Sequence, residues 1–107
     1  MTFRFACEAD TPLILQFIRE LANYEHMLDQ VTASEDILAD QLFRQKKAEV
    51  LFAVEEGQEI GFALFFHNFS TFLGRAGLYL EDLYVRPEHR RKGVGKALLK
   101  KQGKSYF

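Results

Sequence analysis

The stretch Gly77-Leu-Tyr-Leu-Glu-Asp-Leu-Tyr-Val85, followed by Arg86-Pro-Glu-His-Arg-Arg-Lys-Gly-Val-Gly-Lys-Ala-Leu-Leu99, decides how this chain folds. Its first half is mainly apolar and predicts a β-strand. Pro87 marks a turn, and a basic glycine loop, Arg90–Gly95, then opens a helix. A strand that runs into a glycine loop and a helix start is an arrangement that holds phosphate.

The composition is that of an ordinary globular protein, with 107 residues, 48% hydrophobic and 27% charged. The single cysteine, Cys7, excludes an internal disulfide framework and favours a reducing compartment. No apolar run approaches the roughly 20 residues of a membrane helix, and the N-terminus has no signal-peptide pattern. We therefore expect a cytoplasmic protein without a membrane partner.

The net charge of −1 hides an uneven distribution. Residues 1–85 carry 6 Lys and Arg against 14 Asp and Glu, a net charge of −8, whereas residues 86–107 carry 8 against 1, a net charge of +7. The basic end is suited to a polyanion and the acidic part to a cation. An unevenly charged, solvated surface explains the same numbers equally well.

Two helices are predicted in the first half of the chain. Asp10-Thr11-Pro12 is a helix start, and the apolar spacing that follows predicts a helix over 11–27. Thr32 with Glu35 forms a capping-box pattern that opens a second helix. The apolar positions of this second helix are Ile37, Leu38 and Leu42.

The predicted order is β-α-α-β-β-β-α. The mostly antiparallel sheet, with helices packed on it, is of the α/β (α+β) class. The predicted strands are Phe3–Phe5, Val50–Glu55, Ile60–His67 and Leu78–Val85, and the last helix is Gly93–Lys101. Glu56-Gly57-Gln58 makes a hairpin turn, and Asn68–Arg75 is predicted to be a loop with two exposed phenylalanines, Phe69 and Phe72.

The glycine loop predicts an anion site. Gly93 and Gly95 lack side chains, so a ligand can approach their N–H groups at the positive end of a helix dipole. Arg90, Arg91, Lys92 and Lys96 add mobile positive charge around the same point. The natural ligand is a pyrophosphate or a phosphate ester.

Other interpretations of the glycine loop fit the sequence to different degrees. It is not a P-loop, because no Lys-Ser/Thr pair follows the glycine, and it is not the dinucleotide fingerprint, because the third glycine is missing. A tight strand–helix turn with solvated charges remains as plausible as an anion site on the loop alone. A nucleic-acid patch is disfavoured, since no aromatic residue interleaves with the basic ones before Tyr106.

The context resembles one family. The segment Val85–Leu99 is similar to the acetyl-CoA-binding motif R/Q-x-x-G-x-G/A of the GNAT superfamily of N-acetyltransferases. Glu20-Leu-Ala-Asn-Tyr-Glu-His-Met27, Gln30-Val31 and Tyr79-Leu-Glu-Asp-Leu-Tyr-Val85 resemble the diamine (spermidine/spermine) N-acetyltransferases and their thialysine-acetylating relatives. The resemblance runs to about Lys100.

The resemblance implies a set of site residues. The pyrophosphate of acetyl-CoA, the cosubstrate, would lie on Arg91, Lys92, Gly93, Val94, Gly95 and Lys96, and the pantetheine arm would pair with Leu83, Tyr84 and Val85. A cationic amine would be met by Tyr24, Glu25, Glu81 and Asp82. We expect Glu81 and Asp82 to point to opposite faces of their strand. Glu81 is the candidate base for the amine, and a backbone N–H near Leu83 would stabilise the oxyanion.

The reaction implied is direct acetyl transfer from acetyl-CoA to a primary amine of a di- or polyamine or a related small amine. Family members continue beyond the glycine-loop helix and there supply a tyrosine as general acid. The resemblance therefore implies a single incomplete domain over residues 1–107, and Tyr106 receives no role. The alternative is a catalytically impaired, CoA-binding or oligomerising remnant of such an enzyme.

The partners expected are the small amine and a second copy of the chain. The family implies a homodimer, and an open strand edge would allow strand exchange. We expect no nucleic-acid partner. His26, His67 and His89 show no metal-ligand spacing, so no metal is expected.

Overall fold

The computed structural model describes the backbone of residues 1–106 and the side chains of residues 1–101. The chain divides into two compact units, a sheet unit of Met1–Phe5 and Ala48–Phe107 and a helical unit of Ala6–Lys47. Within the described part of the chain, no helix is both long enough and apolar enough to cross a bilayer.

The sheet unit contains four antiparallel strands in the order β1-β2-β3-β4, which are Thr2–Phe5, Glu49–Glu55, Gln58–Ser70 and Arg75–Val85. Helix α3, Val94–Tyr106, follows β4. This confirms the α+β class and the antiparallel sheet, of which β1 forms one edge. The strands β3 and β4 extend further than the apolar pattern predicted.

Two different turns build the hairpins. Glu56 and Gly57 have φ of +52° and +76°, which is the paired left-handed geometry of a tight two-residue hairpin turn. Between β3 and β4 the turn is only Thr71–Gly74, where the Leu73 N–H donates to Ser70 Oγ at 3.2 Å. The predicted loop over 68–75 was therefore too long, because the ladder continues to the pair Ser70–Arg75. The exposure of Phe69 and Phe72 is confirmed.

The core of the sheet unit lies between the sheet and α3. Its buried members come from β2, β3 and α3, and partly buried side chains of β1 and β4 pack against them. The buried members are Leu51, Ala53, Ile60, Ala63, Phe65, Val94 and Leu98. Val94 and Leu98 are 2% and 0% exposed, which confirms the predicted apolar face of α3.

The helical unit contains α1, Thr11–Tyr24, and the short helix α2, Glu35–Ala39, which continues as a π turn over Asp40–Arg44. Helix α1 ends three residues before the predicted boundary because His26 is left-handed, with φ of +58°. The Met27 N–H donates to Ala22 O at 2.7 Å and the His26 N–H to Asn23 O at 3.1 Å, which closes the helix in a Schellman motif.

Two local predictions in the helical unit were wrong. The cap of α2 is Ser34, whose Oγ accepts from the Ile37 N–H at 3.2 Å, and not Thr32. Ile37 is 54% exposed, since α2 is short and its π turn changes the helical phase before the buried Leu42. The helix start at Asp10-Thr11-Pro12 is confirmed, and the Asp10 carboxylate accepts from the Cys7 N–H at 2.8 Å.

Candidate functional site: the glycine loop and the edge of β4

The segment between β4 and α3 is a compact loop with two left-handed residues. A 3₁₀ turn, Pro87–His89, comes first, and Arg91 and Gly93 then have φ of +68° and +75°. The sign of φ alternates along Arg91, Lys92 and Gly93, since Lys92 is not among the residues with positive φ. Alternation of this kind turns successive N–H groups toward a common point, where an anion can bind.

The N-terminus of α3 adds donors at the same place. The first intrahelical bond runs from the Ala97 N–H to Gly93 O at 3.0 Å. The N–H groups of Val94, Gly95 and Lys96 therefore precede the first bonded donor and have no intrahelical acceptor. They carry the positive end of the helix dipole.

The two glycines serve different purposes. Gly93 takes a φ that favours glycine, and a Cβ added there would meet no atom within 4 Å, so the space in front of it is open. A Cβ on Gly95 would lie 3.6 Å from Leu83 Cδ2 and 3.9 Å from Val85 Cγ2. Gly95 therefore sits directly over the end of β4. The N-terminus of α3 with its free N–H groups, which we call the helix mouth, and the end of β4 form one surface.

Arg90 differs from the other basic residues of the loop. Its Nε donates to Val85 O at 2.9 Å, and its guanidinium lies 5.5 Å from the centre of the Tyr84 ring. The prediction of a mobile charge is wrong for Arg90, because the side chain is half-buried and ties the loop back to the strand end. Arg91 and Lys96 are exposed beside the helix mouth.

The strand β4 occupies one edge of the described sheet, and its backbone groups alternate in direction. The Arg86 N–H donates to Ile60 O at 2.9 Å, so Arg86 and Tyr84 direct their backbone groups toward β3. Leu83 and Val85 then direct theirs to the open edge. Of the three predicted strand contacts, Leu83 and Val85 face outward, whereas Tyr84 is bonded within the sheet and is 6% exposed.

Glu81 lies in a β-bulge. Leu64 pairs with Asp82 and Phe65 pairs with Leu80, which leaves Glu81 as the extra residue of β4. Leu80 and Leu83 both pack on the core cluster under α3. The alternation of β4 side chains between the two faces of the sheet is therefore shifted by one residue between them. The two acids therefore lie on the side of the sheet away from α3. The prediction that they point to opposite faces was wrong, because it assumed an uninterrupted strand.

The predicted acceptor residues fall in both units. Glu81 is exposed and Asp82 half-buried, and both belong to the sheet unit with the glycine loop. Tyr24 is 60% exposed in the last turn of α1, and Glu25 follows it as the C-cap, both in the helical unit. The residues predicted to hold the cosubstrate thus share a unit with Glu81 and Asp82, whereas Tyr24 and Glu25 belong to the other unit.

The sequence did not predict that Glu55 and His89 contact each other beside the glycine loop. Glu55 ends β2, and its Oε2 lies 3.5 Å from both His89 Nδ1 and Lys92 Nζ. No local pattern signals this contact, because the turn and two strands separate Glu55 from the loop along the chain. Among residues whose side chains are described, no group of three His, Cys, Asp or Glu is placed to hold a metal ion. The side chain of Tyr106 lies outside the described residues.

Comparison with known proteins gives concordant matches. A sequence profile of the acetyltransferase (GNAT) family matches residues 15–101. Thialysine N-epsilon-acetyltransferase of Bos taurus is 42% identical to the chain over 92% of the chain and 62% of that protein. Spermidine/spermine N(1)-acetyltransferase-like protein 1 of Homo sapiens is 35% identical over 92% of the chain and 15% of that protein.

A solved structure shows the same fold. The crystal structure of a ribosomal-protein-alanine N-acetyltransferase from Brucella melitensis biovar Abortus 2308 matches with a TM-score of 0.75 at 25% identity. The match covers 98% of this chain and 71% of that one. The chain spans 62% of the length of the Bos taurus relative. Because the family profile takes in most of α1, the sheet from β2 to β4, the glycine loop and the start of α3, the chain belongs to the acetyltransferase (GNAT) family.

Proposed function

We propose that this chain binds acetyl-CoA and forms the donor-binding part of an N-acetyltransferase for small primary amines. Acetyltransferases of its family use acetyl-CoA as cosubstrate. The observation that carries the proposal is the helix mouth of α3, which opens at the left-handed Gly93 and lies, at Gly95, over the Leu83 and Val85 side chains at the end of β4.

The diphosphate would be held by the amides of Gly93–Lys96, with Arg91, Lys92 and Lys96 supplying charge. The open space in front of Gly93 supports this fit, since no protein atom lies within 4 Å of its added Cβ. The pantetheine arm would extend along the outward-facing backbone groups of Leu83 and the Val85 N–H, as an added strand does at a sheet edge, since Val85 O accepts from Arg90 Nε. Tyr84 keeps these groups in place from within the sheet.

The acceptor would be a small cationic amine. The bulge at Glu81 puts the Glu81 and Asp82 carboxylates on one side of β4 in the sheet unit. The family resemblance adds Tyr24 and Glu25, in the helical unit, as further candidate contacts of the amine. The names of the relatives, thialysine and spermidine/spermine acetyltransferases, refer to substrates of this chemical kind. We include both classes because the residues favour neither.

The reaction follows from these groups. An ammonium has no lone pair, so a carboxylate, for which Glu81 is the candidate, first takes a proton from the amine directly or through water. The nitrogen then bonds to the thioester carbon and the C–S bond breaks. The second proton lost by the nitrogen passes, directly or through water, to the departing CoA thiolate, which gives the amide and CoA thiol. The Leu83 N–H, on the open edge of β4, would donate to the developing oxyanion.

The test is a thiol-release assay with acetyl-CoA and, in turn, thialysine, spermidine and putrescine, alongside calorimetric titration of CoA. Binding with amine-dependent release of CoA thiol is the expected result. Binding without release above the buffer rate would favour the alternative, a non-catalytic CoA-binding remnant. Absence of binding would overturn the proposal.

Glu81→Gln tests the acceptor assignment, with Glu56→Gln in the exposed β2–β3 turn as the matched control. The proposal expects Glu81→Gln to lower the rate of thiol release about tenfold or more, the usual scale of a lost general base. CoA affinity should remain within about twofold, since amide donors hold the diphosphate. Equal activity in both variants would remove Glu81 from the proposed site.

We also propose a homodimer that uses the first half of the β4 edge, around Tyr79, and leaves the end at residues 83–85 to the cosubstrate. The support is an eleven-residue strand at the edge of the described sheet, with Tyr79 half-exposed and Phe72 fully exposed at its hairpin. Sedimentation of the wild type and of Tyr79→Lys, which adds an edge charge, tests it. A dimer that Tyr79→Lys dissociates is expected, and a wild-type monomer would contradict the proposal.

A further inference from the structure

Three charged or titratable groups meet beside the glycine loop. Glu55 Oε2 lies 3.5 Å from Lys92 Nζ and 3.5 Å from His89 Nδ1, and Lys92 Nζ is 3.2 Å from His89 Nδ1. The side chains of Glu55, His89 and Lys92 are 34%, 23% and 49% exposed. Glu55 comes from the end of β2, whereas the other two belong to the loop itself.

We propose that Glu55 is an internal counter-ion of the phosphate-binding loop, which neutralises Lys92 in the free protein and is exchanged for ligand phosphate. This inference rests on the proposed function, because it gives Lys92 a diphosphate as its second partner. Glu55 acts through Lys92 and touches no reacting atom, so it is a positioning residue.

The charge balance of the loop supports this role. Lys92 is one residue before Gly93, at which the helix mouth opens, so its flexible side chain starts beside the amides that would receive the diphosphate. In the free protein the Lys92 ammonium faces a carboxylate. A phosphate and a carboxylate repel each other, so the ligand must compete with Glu55 for the same cation.

The contribution of this contact to folding differs from its contribution to binding. Partly exposed ion pairs add little to stability, since solvent screens them and the side chains lose freedom. The effect on a polyanion is larger, because a negative charge about 6 Å from a phosphate changes affinity about threefold even in a water-like dielectric. Removing the Glu55 charge should therefore leave the fold intact and tighten anion binding.

The experiment compares Glu55→Gln with Glu56→Gln by calorimetric titration of CoA and of inorganic pyrophosphate at low salt. Glu56 is the adjacent acid, it is exposed, and it has no recorded contact with Lys92 or His89 among the described residues. We expect Glu55→Gln to bind both ligands about threefold more tightly than wild type, or better, and Glu56→Gln to stay within about 1.5-fold. Thermal melts of both variants should coincide with that of wild type.

The variant Lys92→Gln completes a double-mutant cycle. In its background, Glu55→Gln should lose most of its gain, because the cation for which the carboxylate and the ligand compete is gone. A gain that persists in this background would reduce Glu55 to a general surface charge and overturn the inference. Weaker or equal binding by Glu55→Gln, or the same gain in Glu56→Gln, would do so as well.

The two proposals fail in different ways. If wild type binds CoA and Glu55→Gln binds no more tightly, the counter-ion role is wrong and the cosubstrate site stands. If neither wild type nor Glu55→Gln binds CoA or pyrophosphate, the cosubstrate site is wrong and the counter-ion role falls with it. If only Glu55→Gln binds, the competition by Glu55 is supported directly.

Discussion

Replacing Gly93 with aspartate separates the backbone role of this glycine from its role in anion binding. Gly93 has φ of +75° with nothing within 4 Å of an added Cβ, and Gly74 has φ of +68° with the same open surroundings. Aspartate tolerates left-handed geometry better than most residues, so each substitution should cost about 1 kcal/mol or less. Both variants should melt within roughly 5 °C of wild type, and by similar amounts.

The effect on CoA binding should differ sharply between these sites. At Gly93 a carboxylate would stand at the helix mouth, about 5 Å from two phosphate groups. Each charge pair then costs about 0.8 kcal/mol in a water-like dielectric, which together weakens binding more than tenfold. Gly74 precedes the eleven residues of β4, and at about 3.3 Å per residue this strand separates it from the mouth by roughly 30 Å, several screening lengths.

Calorimetric titration of CoA, with thermal melts of the same samples, measures both quantities. The expected result is a loss of affinity in Gly93→Asp alone, with matched melting temperatures. Equal CoA affinities for the two variants would refute the assignment of the diphosphate to this helix mouth. A far larger loss of stability at Gly93 than at Gly74 would refute the claim that the surroundings of the two glycines are equally open.

Four further substitutions test local features of the two units. Leu98→Ala removes a side chain that is 0% exposed under the sheet and should cost about 2–5 kcal/mol of unfolding free energy in urea titration; a cost below about 1 kcal/mol would show that α3 is not anchored there. Arg91→Gly removes the strain of a left-handed non-glycine residue and should raise stability by about 1 kcal/mol. The same variant should bind CoA a few-fold more weakly. A fall in its melting temperature would contradict the expected gain in stability. Ser34→Ala should lower stability by about 1 kcal/mol through loss of the α2 cap, whereas Thr32→Ala should be neutral; the reverse order would restore the capping box predicted from sequence.

Hydrophobic periodicity was sufficient to predict the order and type of the main elements. Boundaries were less well predicted, since hydrogen bonds outside the apolar pattern set them. Helix α1 stops where His26 turns left-handed, and β3 continues to Ser70 because its ladder with β4 persists through polar residues. The cap of α2 was predicted at Thr32, and the position of Ser34 Oγ in the folded chain puts it two residues later.

By itself the sequence determined that a glycine loop joins a strand to a helix, because those parts are adjacent along the chain and their chemistry is local. Tertiary structure decided how that loop is held and where the acids point. The bulge at Glu81 arises from the register of β4 on β3, and the contacts of Lys92 with Glu55 and of Arg90 with Val85 arise from the packing of loop against sheet. Register and packing depend on which distant segments meet, and no local pattern encodes that choice.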